Sequence, residues 1–367
     1  MAATAPTSNG RRSGPAERDD SLIVEIHDLK KHFPIQRGMM RRTVGAVRAV
    51  DGVDLSIKSG ETHGLVGESG CGKTTTGRMI LRAIPPTDGE IWFQDKDLGW
   101  VNVADLDDRR LRQVRRNMKI VYQDPYSSLN PRMTVQQIVG EHLLVSKQAQ
   151  GRELERRVAS LLDLVGLRPE YARRYPHAFS GGQRQRLAIA RALSMQPQLI
   201  VCDEAVSALD VSVQAQILKL LHDLQSQFGL SYLFVAHDLS VVETVSDTVS
   251  VMYVGQIVES APTKELYTNP LAPYTEALMS AVPRPDPKAV KKRIVLQGEL
   301  PSPSNPPSGC YFHPRCRYAK DICKEKMPAL EEIKPGHFAR CHFARELKLA
   351  GIAGGVPLPN QSRPAAD

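Results

Sequence analysis

The stretch from Gly67 to Thr74 combines glycines, a lysine and a hydroxyl side chain at fixed spacing. It reads Gly-Glu-Ser-Gly-Cys-Gly-Lys-Thr and fits the phosphate-loop pattern G-x-x-x-x-G-K-[ST] at every fixed position. Glycines let the backbone turn tightly enough for successive N–H groups to point at phosphate oxygens, and the N-terminus of the following helix adds partial positive charge. We expect Lys73 to contact the β- and γ-phosphates of a nucleotide and Thr74 to bind Mg²⁺. The residues expected to contact the nucleotide here are Gly67, Glu68, Ser69, Gly70, Cys71, Gly72, Lys73, Thr74 and Thr75.

Four polar residues come directly after predicted buried strands, where open α/β sheets bind their ligands. They are Gln123, Asp203, Glu204 and His237. Asp203 is expected to bind Mg²⁺ beside the nucleotide, while Glu204 would act as general base towards the attacking water. Gln123 could contact both Mg²⁺ and that water, and His237 could contact the γ-phosphate. Isolated glutamines and histidines usually have structural roles, so their position at strand ends is what favours catalytic ones.

The order of the predicted elements indicates a mostly parallel sheet with helices on both faces. Two early segments, 22–26 and 50–57, have the apolar pattern of strands, and the second alternates as an antiparallel hairpin strand does. Phe33 lies in this hairpin, where an exposed ring could stack on an adenine, although a core position is the more common role of a single phenylalanine. Residues of about 124–180 are helical and polar, which suggests a helical insertion attached to the sheet.

Composition excludes some classes of function. Only 5% of the residues are aromatic, too few for a stacking surface for single-stranded nucleic acid, and the net charge of +8 selects neither nucleic acid nor an anionic membrane. No run approaches the roughly 18 apolar residues of a membrane helix, and residues 1–20 lack the apolar stretch of a secretory signal. We expect a cytosolic protein with reduced or metal-bound cysteines and no nucleic-acid partner.

Six motifs in this order resemble those of the nucleotide-binding subunits of ABC transporters. They are the phosphate loop, Gln123, Phe179-Ser180-Gly181-Gly182-Gln183, Asp203-Glu204, Ser207-Ala208-Leu209-Asp210 and His237. The signature begins with Phe179 where leucine is commoner, a departure at a packing position. The resemblance covers roughly residues 22–261. It implies an α/β fold with a P-loop NTPase core of the ABC type, an antiparallel β subdomain and a helical subdomain, followed by a small Cys-bearing C-terminal segment.

The resemblance also implies a dimer that binds two ATP molecules with Mg²⁺ between head-to-tail subunits. The signature residues Ser180, Gly181, Gly182 and Gln183 would then face the ATP bound by the other subunit, with Ser180 and Gly182 at its γ-phosphate. Asp210 would line the dimer interface. The segment that follows Gln123 would contact a membrane subunit.

Four further segments resemble the ATPases of oligopeptide and dipeptide importers: 124–131, 206–216, 269–275 and 298–303. The run Gly-Gly-Gln-Arg-Gln-Arg suggests the second, F-type, subunit of such a pair. This implies an ATPase at the cytoplasmic face of the membrane, with two membrane permease subunits, a second homologous ATPase as heterodimer partner and an extracytoplasmic peptide-binding protein. Import of nickel or glutathione stays open as an alternative. A soluble ABC protein that does not transport is disfavoured, because the chain has a single cassette and no coiled-coil insertion.

Six cysteines occur in two settings. Cys71 and Cys202 are small residues in tight places. The other four lie in one 32-residue stretch of the C-terminal segment: Cys310, Cys316, Cys323 and Cys341. Four cysteines in so short a cytosolic segment favour a metal site, which would also stabilise a region too small for a core. Zinc ribbons prefer C-x₂₋₄-C pairs, which are absent, and four thiolates suit a [4Fe–4S] cluster. Some members of the resembled subfamily carry one, so a cluster is favoured over Zn²⁺.

The expected division of the chain follows from these segments. It is 1–20, a disordered tail; 21–261, the ABC ATPase domain; 262–308, a Pro-rich linker or scaffold; 309–345, the Cys-rich C-terminal region; and 346–367, a second loose tail.

Overall fold

The computed structural model of the chain describes residues 18–38, 42–282 and 293–351. Nearly all of the tail predicted at 1–20, most of the tail predicted at 346–367 and part of the predicted linker lie outside the described residues. The strands, in chain order, are β1 (Leu22–Arg37), β2 (Arg42–Lys58), β3 (Thr62–Val66), β4 (Asp88–Asp95), β5 (Gly99–Asn102), β6 (Met118–Val121), β7 (Leu199–Asp203), β8 (Ser231–Val235), β9 (Thr248–Tyr253), β10 (Gln256–Pro262), β11 (Glu331–Lys334) and β12 (His337–Ala339). The helices are α1 (Lys73–Ile80), α2 (Asp108–Val114), α3 (Pro125–Ser128), α4 (Val135–Val145), α5 (Gly151–Leu164), α6 (Gly181–Leu193), α7 (Val211–Phe228), α8 (Leu239–Val245), α9 (Thr263–Thr268), α10 (Pro273–Ser280) and α11 (Asp321–Glu325).

The N-terminal strands form a four-stranded antiparallel sheet in the order β2-β1-β4-β5. The long β1–β2 hairpin is paired from Leu22 opposite Lys58 to Arg37 opposite Arg42. On β2, Val53, Leu55 and Ile57 are buried, and the residues that alternate with them, Asp54, Ser56 and Lys58, are exposed. This is the alternation of a sheet that is covered on one face. These apolar side chains share one core with Met79 and Ile80 of α1, so the antiparallel sheet packs against the end of the phosphate-loop helix.

The central sheet has eight strands in the order β11-β12-β10-β9-β3-β8-β7-β6. Its strands from β9 to β6 are parallel to one another. Strands β3, β7 and β8 are buried at every residue, as parallel strands with helices on both faces should be. Their carboxyl ends therefore meet at one edge of the sheet.

A mostly helical segment joins β6 to β7 and contains α3 to α6. Helix α4 begins with a capping box, in which the Thr134 side chain accepts from the Gln137 N–H and the Gln137 side chain accepts from the Thr134 N–H. Apolar residues of α4, α5 and α6 such as Val139, Leu162 and Leu187 are buried in the larger of the two main cores. This packing fixes α6, the helix that follows the signature, relative to the sheet.

The segment predicted as a Pro-rich linker, 262–308, begins with two packed helices, α9 and α10. Leu266, Tyr267 and Tyr274 are buried in the same core as the parallel strands. Pro273 is the first residue of α10, where a missing N–H costs no hydrogen bond, so this proline starts a helix rather than marking a linker. Residues 293–308 contain no helix or strand.

The C-terminal segment extends the central sheet. Its hairpin, β11 with β12, joins β10 in antiparallel pairing, with Ala339 opposite Glu259 and Phe338 opposite Ser260. The region that contains the four clustered cysteines is therefore built onto the same sheet as the phosphate loop.

Candidate active site

The phosphate loop connects β3 to α1 and closes tightly around the Lys73 side chain. Gly72 has a φ of 113°, and a Cβ there would lie 2.2 Å from the carbonyl oxygen of Ala49, so the position requires glycine. The Lys73 side chain runs back into the loop, where its ammonium donates to the carbonyl oxygens of Gly67 at 2.8 Å and Glu68 at 3.1 Å. Lys73 is only 4% exposed. The cation is thus placed inside the loop, where the phosphates of a nucleotide would bind.

Asp203, the last residue of β7, lies against the first turn of α1. The Thr74 hydroxyl donates to its Oδ1 at 2.7 Å, and an Arg78 guanidinium nitrogen lies 3.8 Å from its Oδ2. Burial raises the pKa of Asp203, and the Thr74 hydrogen bond and the Arg78 charge oppose that shift. Mg²⁺ is usually bound by one or two protein side chains together with phosphates and water. Thr74 and Asp203 fit that role.

Glu204 and His237 meet at the same edge of the sheet. Glu204 Oε2 lies 3.3 Å from His237 Nδ1. Glu204 has a φ of 50°, an uncommon left-handed conformation for a residue with a side chain, and its N–H donates to the Val235 carbonyl at 2.9 Å. That bond ties the ends of β7 and β8 together and sets the direction of the carboxylate.

Gln123 comes two residues after the end of β6, and its side chain is exposed. Val121, the last residue of β6, is paired with Cys202 of β7. Gln123 and Asp203 therefore follow neighbouring strands at the same edge of the sheet, as the sequence predicts, and the Gln123 side chain is exposed to solvent there.

The signature residues form the start of α6. The Ser180 hydroxyl accepts from the Gln183 N–H at 3.4 Å, and the Gln183 side chain accepts from the Ser180 N–H at 3.1 Å, which completes a capping box. A Cβ on Gly182 would lie 2.3 Å from Cγ1 of Val213 on α7, so only glycine allows this approach. Asp210 is the N-cap of α7 and accepts from the Val213 N–H at 3.0 Å, a hydrogen bond that lowers the pKa of its exposed carboxyl.

Two family models match the chain. The ABC transporter model matches residues 50–207, and the model of the oligopeptide/dipeptide transporter C-terminal region matches residues 258–323. The oligopeptide transport ATP-binding protein AppF of Bacillus subtilis (strain 168) is 53% identical over 328 residues, which cover 89% of this chain and 98% of that protein. The chain belongs to the ATP-binding subunits of ABC transporters. Its C-terminal region is that of the oligopeptide/dipeptide group.

Other relatives agree with this ABC assignment. The dipeptide transport ATP-binding protein DppF of Haemophilus influenzae is 45% identical over 324 residues, which cover 88% of this chain and 97% of that protein. A solved dimeric structure of the ATP-binding cassette MJ0796, in a post-hydrolysis state with ADP and Pi, is 28% identical with a TM-score of 0.57 and covers 66% of this chain and 99% of that one. The predicted ABC-type fold is confirmed, and the chain is an ATPase of the ABC type.

Phe33 lies on β1 of the antiparallel subdomain of this ABC ATPase and is 38% exposed, so it is not a core residue. The Lys31 ammonium lies 5.1 Å from the centroid of its ring. A ring of this kind on the surface can stack on a base, and its contact with adenine stays a prediction.

Two residues near this edge of the sheet, Arg78 and Tyr126, were not predicted from the sequence. Arg78 lies one helical turn after Thr74, and the spacing i, i+4 could have placed it beside Asp203. Tyr126, just after Gln123, stacks under the guanidinium of Arg184 on the signature helix at 3.7 Å, so α3 and α6 are joined directly. No spacing rule relates Tyr126 to Arg184, so that contact could not have been predicted from the sequence pattern.

The cysteines fall into the two groups that the sequence indicates. Cys71 and Cys202 are buried, and burial raises the pKa of Cys202 to about 12. Cys310, Cys316, Cys323 and Cys341 line one cavity of about 40 Å³ between the C-terminal segment and the ATPase sheet. Among residues 18–38, 42–282 and 293–351, however, no group of three or more His, Cys, Asp or Glu side chains is arranged so that it could hold a metal ion. The arrangement of the four cysteines therefore does not support the predicted iron–sulfur site.

None of the helices that the structure describes is long and apolar enough to cross a membrane.

Proposed function

We propose that this ABC ATPase drives the import of di- or oligopeptides by binding and hydrolysing ATP at the site around Lys73. The proposal rests on the arrangement of four side chains beside the phosphate loop. The Thr74 hydroxyl donates to Asp203 Oδ1 at 2.7 Å. Glu204, the next residue, has its Oε2 3.3 Å from His237 Nδ1. Groups for binding phosphate, holding a cation and activating water thus meet at one edge of the sheet.

Each group has a distinct role in this proposal. Lys73 and the loop N–H groups bind the β- and γ-phosphates, and Thr74 and Asp203 hold Mg²⁺, which would neutralise negative charge on the phosphates. Glu204 accepts a proton from the attacking water or orients it, and His237 donates to the γ-phosphate from the adjacent strand end. Gln123, exposed at the same edge, would contact the cation and the water.

The complete site needs a second ATPase subunit. The exposed Ser180 at the start of α6 and the exposed Asp210 at the start of α7 suit contact with a neighbouring subunit, and the solved cassette MJ0796 is a dimer. We propose that Ser180 and Gly182 contact the ATP bound by that second subunit. The second subunit would be a different, homologous chain.

The cargo and the other partners rest on the relatives. AppF is named for oligopeptide transport and DppF for dipeptide transport. By the same token the chain would work at the cytoplasmic face of the membrane with two permease subunits and an extracytoplasmic peptide-binding protein. Uptake of labelled dipeptides and longer peptides by the reconstituted transporter, with nickel and glutathione as competing substrates, tests this cargo. Transport of nickel or glutathione alone would contradict it.

Two substitutions separate the roles of the site residues. Glu204→Gln keeps the shape of the side chain but removes the base, so ATP hydrolysis should fall by about 100-fold or more with nucleotide affinity retained. Lys73→Ala removes the charge that faces the phosphates and should weaken nucleotide binding itself. Both are measured in the assembled transporter. If Glu204→Gln hydrolyses ATP at the wild-type rate, the assignment of the base is wrong.

We further propose that Cys310, Cys316, Cys323 and Cys341 bind a [4Fe–4S] cluster, with Zn²⁺ as the alternative. The support is that all four line one cavity, although their present arrangement does not form a ligand set for a single ion. Anaerobic purification, absorbance near ~400 nm and metal analysis test this. Stoichiometric zinc in a colourless protein would contradict the cluster, and four freely alkylated thiols without metal would contradict both.

A further inference from the structure

Arg315 lies in the cysteine segment, next to Cys316, yet its guanidinium reaches the phosphate loop. Its Nη1 lies 2.7 Å from Glu68 Oε2 and its Nη2 lies 3.1 Å from Glu68 Oε1. This is a two-point pairing of a planar guanidinium with a carboxylate, the strongest form of such an ion pair. The Arg315 side chain is only 8% exposed and that of Glu68 is 30% exposed.

Neighbouring aromatic side chains fix this ion pair. Arg315 Nη1 lies 3.5 Å from the Tyr253 hydroxyl, and the rings of Tyr253, Tyr274 and Phe312 pack with centroids 4.5 to 5.3 Å apart. The Tyr274 hydroxyl accepts from the Glu68 backbone N–H at 3.0 Å. Both the backbone and the side chain of Glu68 are thus bound by residues outside the loop.

The charge of Glu68 is the reason this contact matters for a nucleotide. Glu68 is the second residue of a loop that we propose binds a triphosphate, and its carbonyl already accepts from the Lys73 ammonium at 3.1 Å. An unpaired carboxylate there would repel the phosphates and compete for Lys73, whereas a carboxylate paired with a guanidinium is neutral overall.

We propose that Arg315 is a positioning residue for nucleotide binding, which neutralises Glu68 and fixes the phosphate loop, so that the C-terminal segment sets the affinity of the ATP site. This inference rests on the proposed ATP site. It assigns the cysteine segment a role in nucleotide affinity that is independent of any metal there.

The test is a double-mutant cycle on Glu68 and Arg315 in the full-length chain, with the Kd of ATP read from a fluorescent analogue. Arg315→Gln leaves the Glu68 charge unpaired and should weaken ATP binding by about tenfold. Glu68→Gln leaves an unpaired cation beside the phosphates and should tighten binding by about two- to threefold. The double substitution Glu68→Gln with Arg315→Gln should return the Kd to within about twofold of the wild-type value, because no unpaired charge remains.

The control is Arg317→Gln, two residues along in the same segment. Arg317 pairs with Glu276 at 2.9 Å rather than with the phosphate loop, so its loss disturbs the segment and should leave the Kd unchanged. In the assembled transporter, Arg315→Gln should raise KM for ATP with little change in kcat. Thermal unfolding of every variant checks that it is folded.

The outcomes separate the inference from the site on which it rests. If Arg315→Gln weakens binding but the double substitution does not restore it, Arg315 acts only as a structural support and the proposed neutralisation is wrong. If Arg315→Gln binds ATP as the wild type does while Lys73→Ala does not, the inference fails and the ATP site stands. If Lys73→Ala also binds normally, the proposed site itself is wrong.

Discussion

Glu259 of β10 is a buried carboxylate on which the attachment of the C-terminal segment depends. Its Oε1 accepts from the Leu271 N–H at 2.6 Å and from His337 Nε2 at 2.7 Å, and its Oε2 accepts from the Ala272 N–H at 2.8 Å. Glu259 and His337 are both fully buried. Glu259→Ala would therefore leave three donors without a partner in a place that water does not reach.

The expected loss of stability follows from those donors. A buried donor left without a partner costs roughly 1–3 kcal/mol, so three such donors together cost several kcal/mol. We expect Glu259→Ala to lower the free energy of unfolding by about 4 kcal/mol. Glu259→Gln keeps one acceptor oxygen and should lose less.

The assay is urea unfolding of the full-length chain, with limited proteolysis to find which segment loosens first. Lys334→Ala is the control. Lys334, on the hairpin of β11 and β12, makes a partly exposed ion pair with Glu265 of α9 at 3.0 Å, and such pairs contribute under about 1 kcal/mol. A loss below about 1 kcal/mol for Glu259→Ala, equal to that of the control, would refute the reasoning.

Three further predictions concern the signature, acid stability and the partner subunit. Gly182→Ala would force a Cβ to within 2.3 Å of Val213, so it should cost about 1–3 kcal/mol in urea unfolding and abolish ATP hydrolysis in the assembled dimer. Burial lowers the pKa of His63 to about 4 from 6.5, so on acidification the unfolded chain binds this proton first. His63 should therefore contribute a loss of about 3 kcal/mol in stability as the pH drops from 6.5 to 4. His63→Gln should remove that part of the dependence in unfolding measured at each pH and leave the part that comes from His142, whose pKa burial also lowers to about 4. The purified chain alone should hydrolyse ATP more slowly than the chain purified with its homologous ATPase, and a native transporter with two copies of this chain and no other ATPase would contradict the heterodimer.

The geometry of the proposed ATP site could be predicted because its parts are encoded locally. Glycine at position 72 is required by the backbone of the loop, and a run of apolar residues that ends in Asp203 and Glu204 indicates a buried strand with its acidic end at the sheet edge. The position of His237 beside Glu204 follows from the same rule, because His237 also comes after a buried parallel strand. What the pattern could not give is the left-handed conformation of Glu204, since that depends on the bond to the neighbouring strand.

The C-terminal half was harder to predict because its contacts join residues far apart in the chain. Prolines near 270 suggested a linker, yet α10 begins at Pro273 and buries Tyr274. Arg315 and Glu68 are separated by 247 positions, and no spacing rule relates an arginine beside Cys316 to a phosphate loop. Such pairs depend on the tertiary fold and not on local pattern.

The way in which the C-terminal segment is attached explains why it can influence the site at all. Its apolar contacts are Phe312 against Tyr253 and Tyr274, and a small cluster of Leu271, Ala339 and Ala344. Polar contacts that are wholly or partly buried also locate it: the Arg315–Glu68 pair, the His337–Glu259 pair, and the Tyr311 hydroxyl, which donates to Asp51 of the antiparallel sheet at 2.9 Å. Apolar contacts tolerate small shifts, but a buried charge that moves away from its partner is left unpaired, so polar contacts of this kind favour a single arrangement. We therefore expect the segment to transmit small displacements to the phosphate loop rather than absorb them.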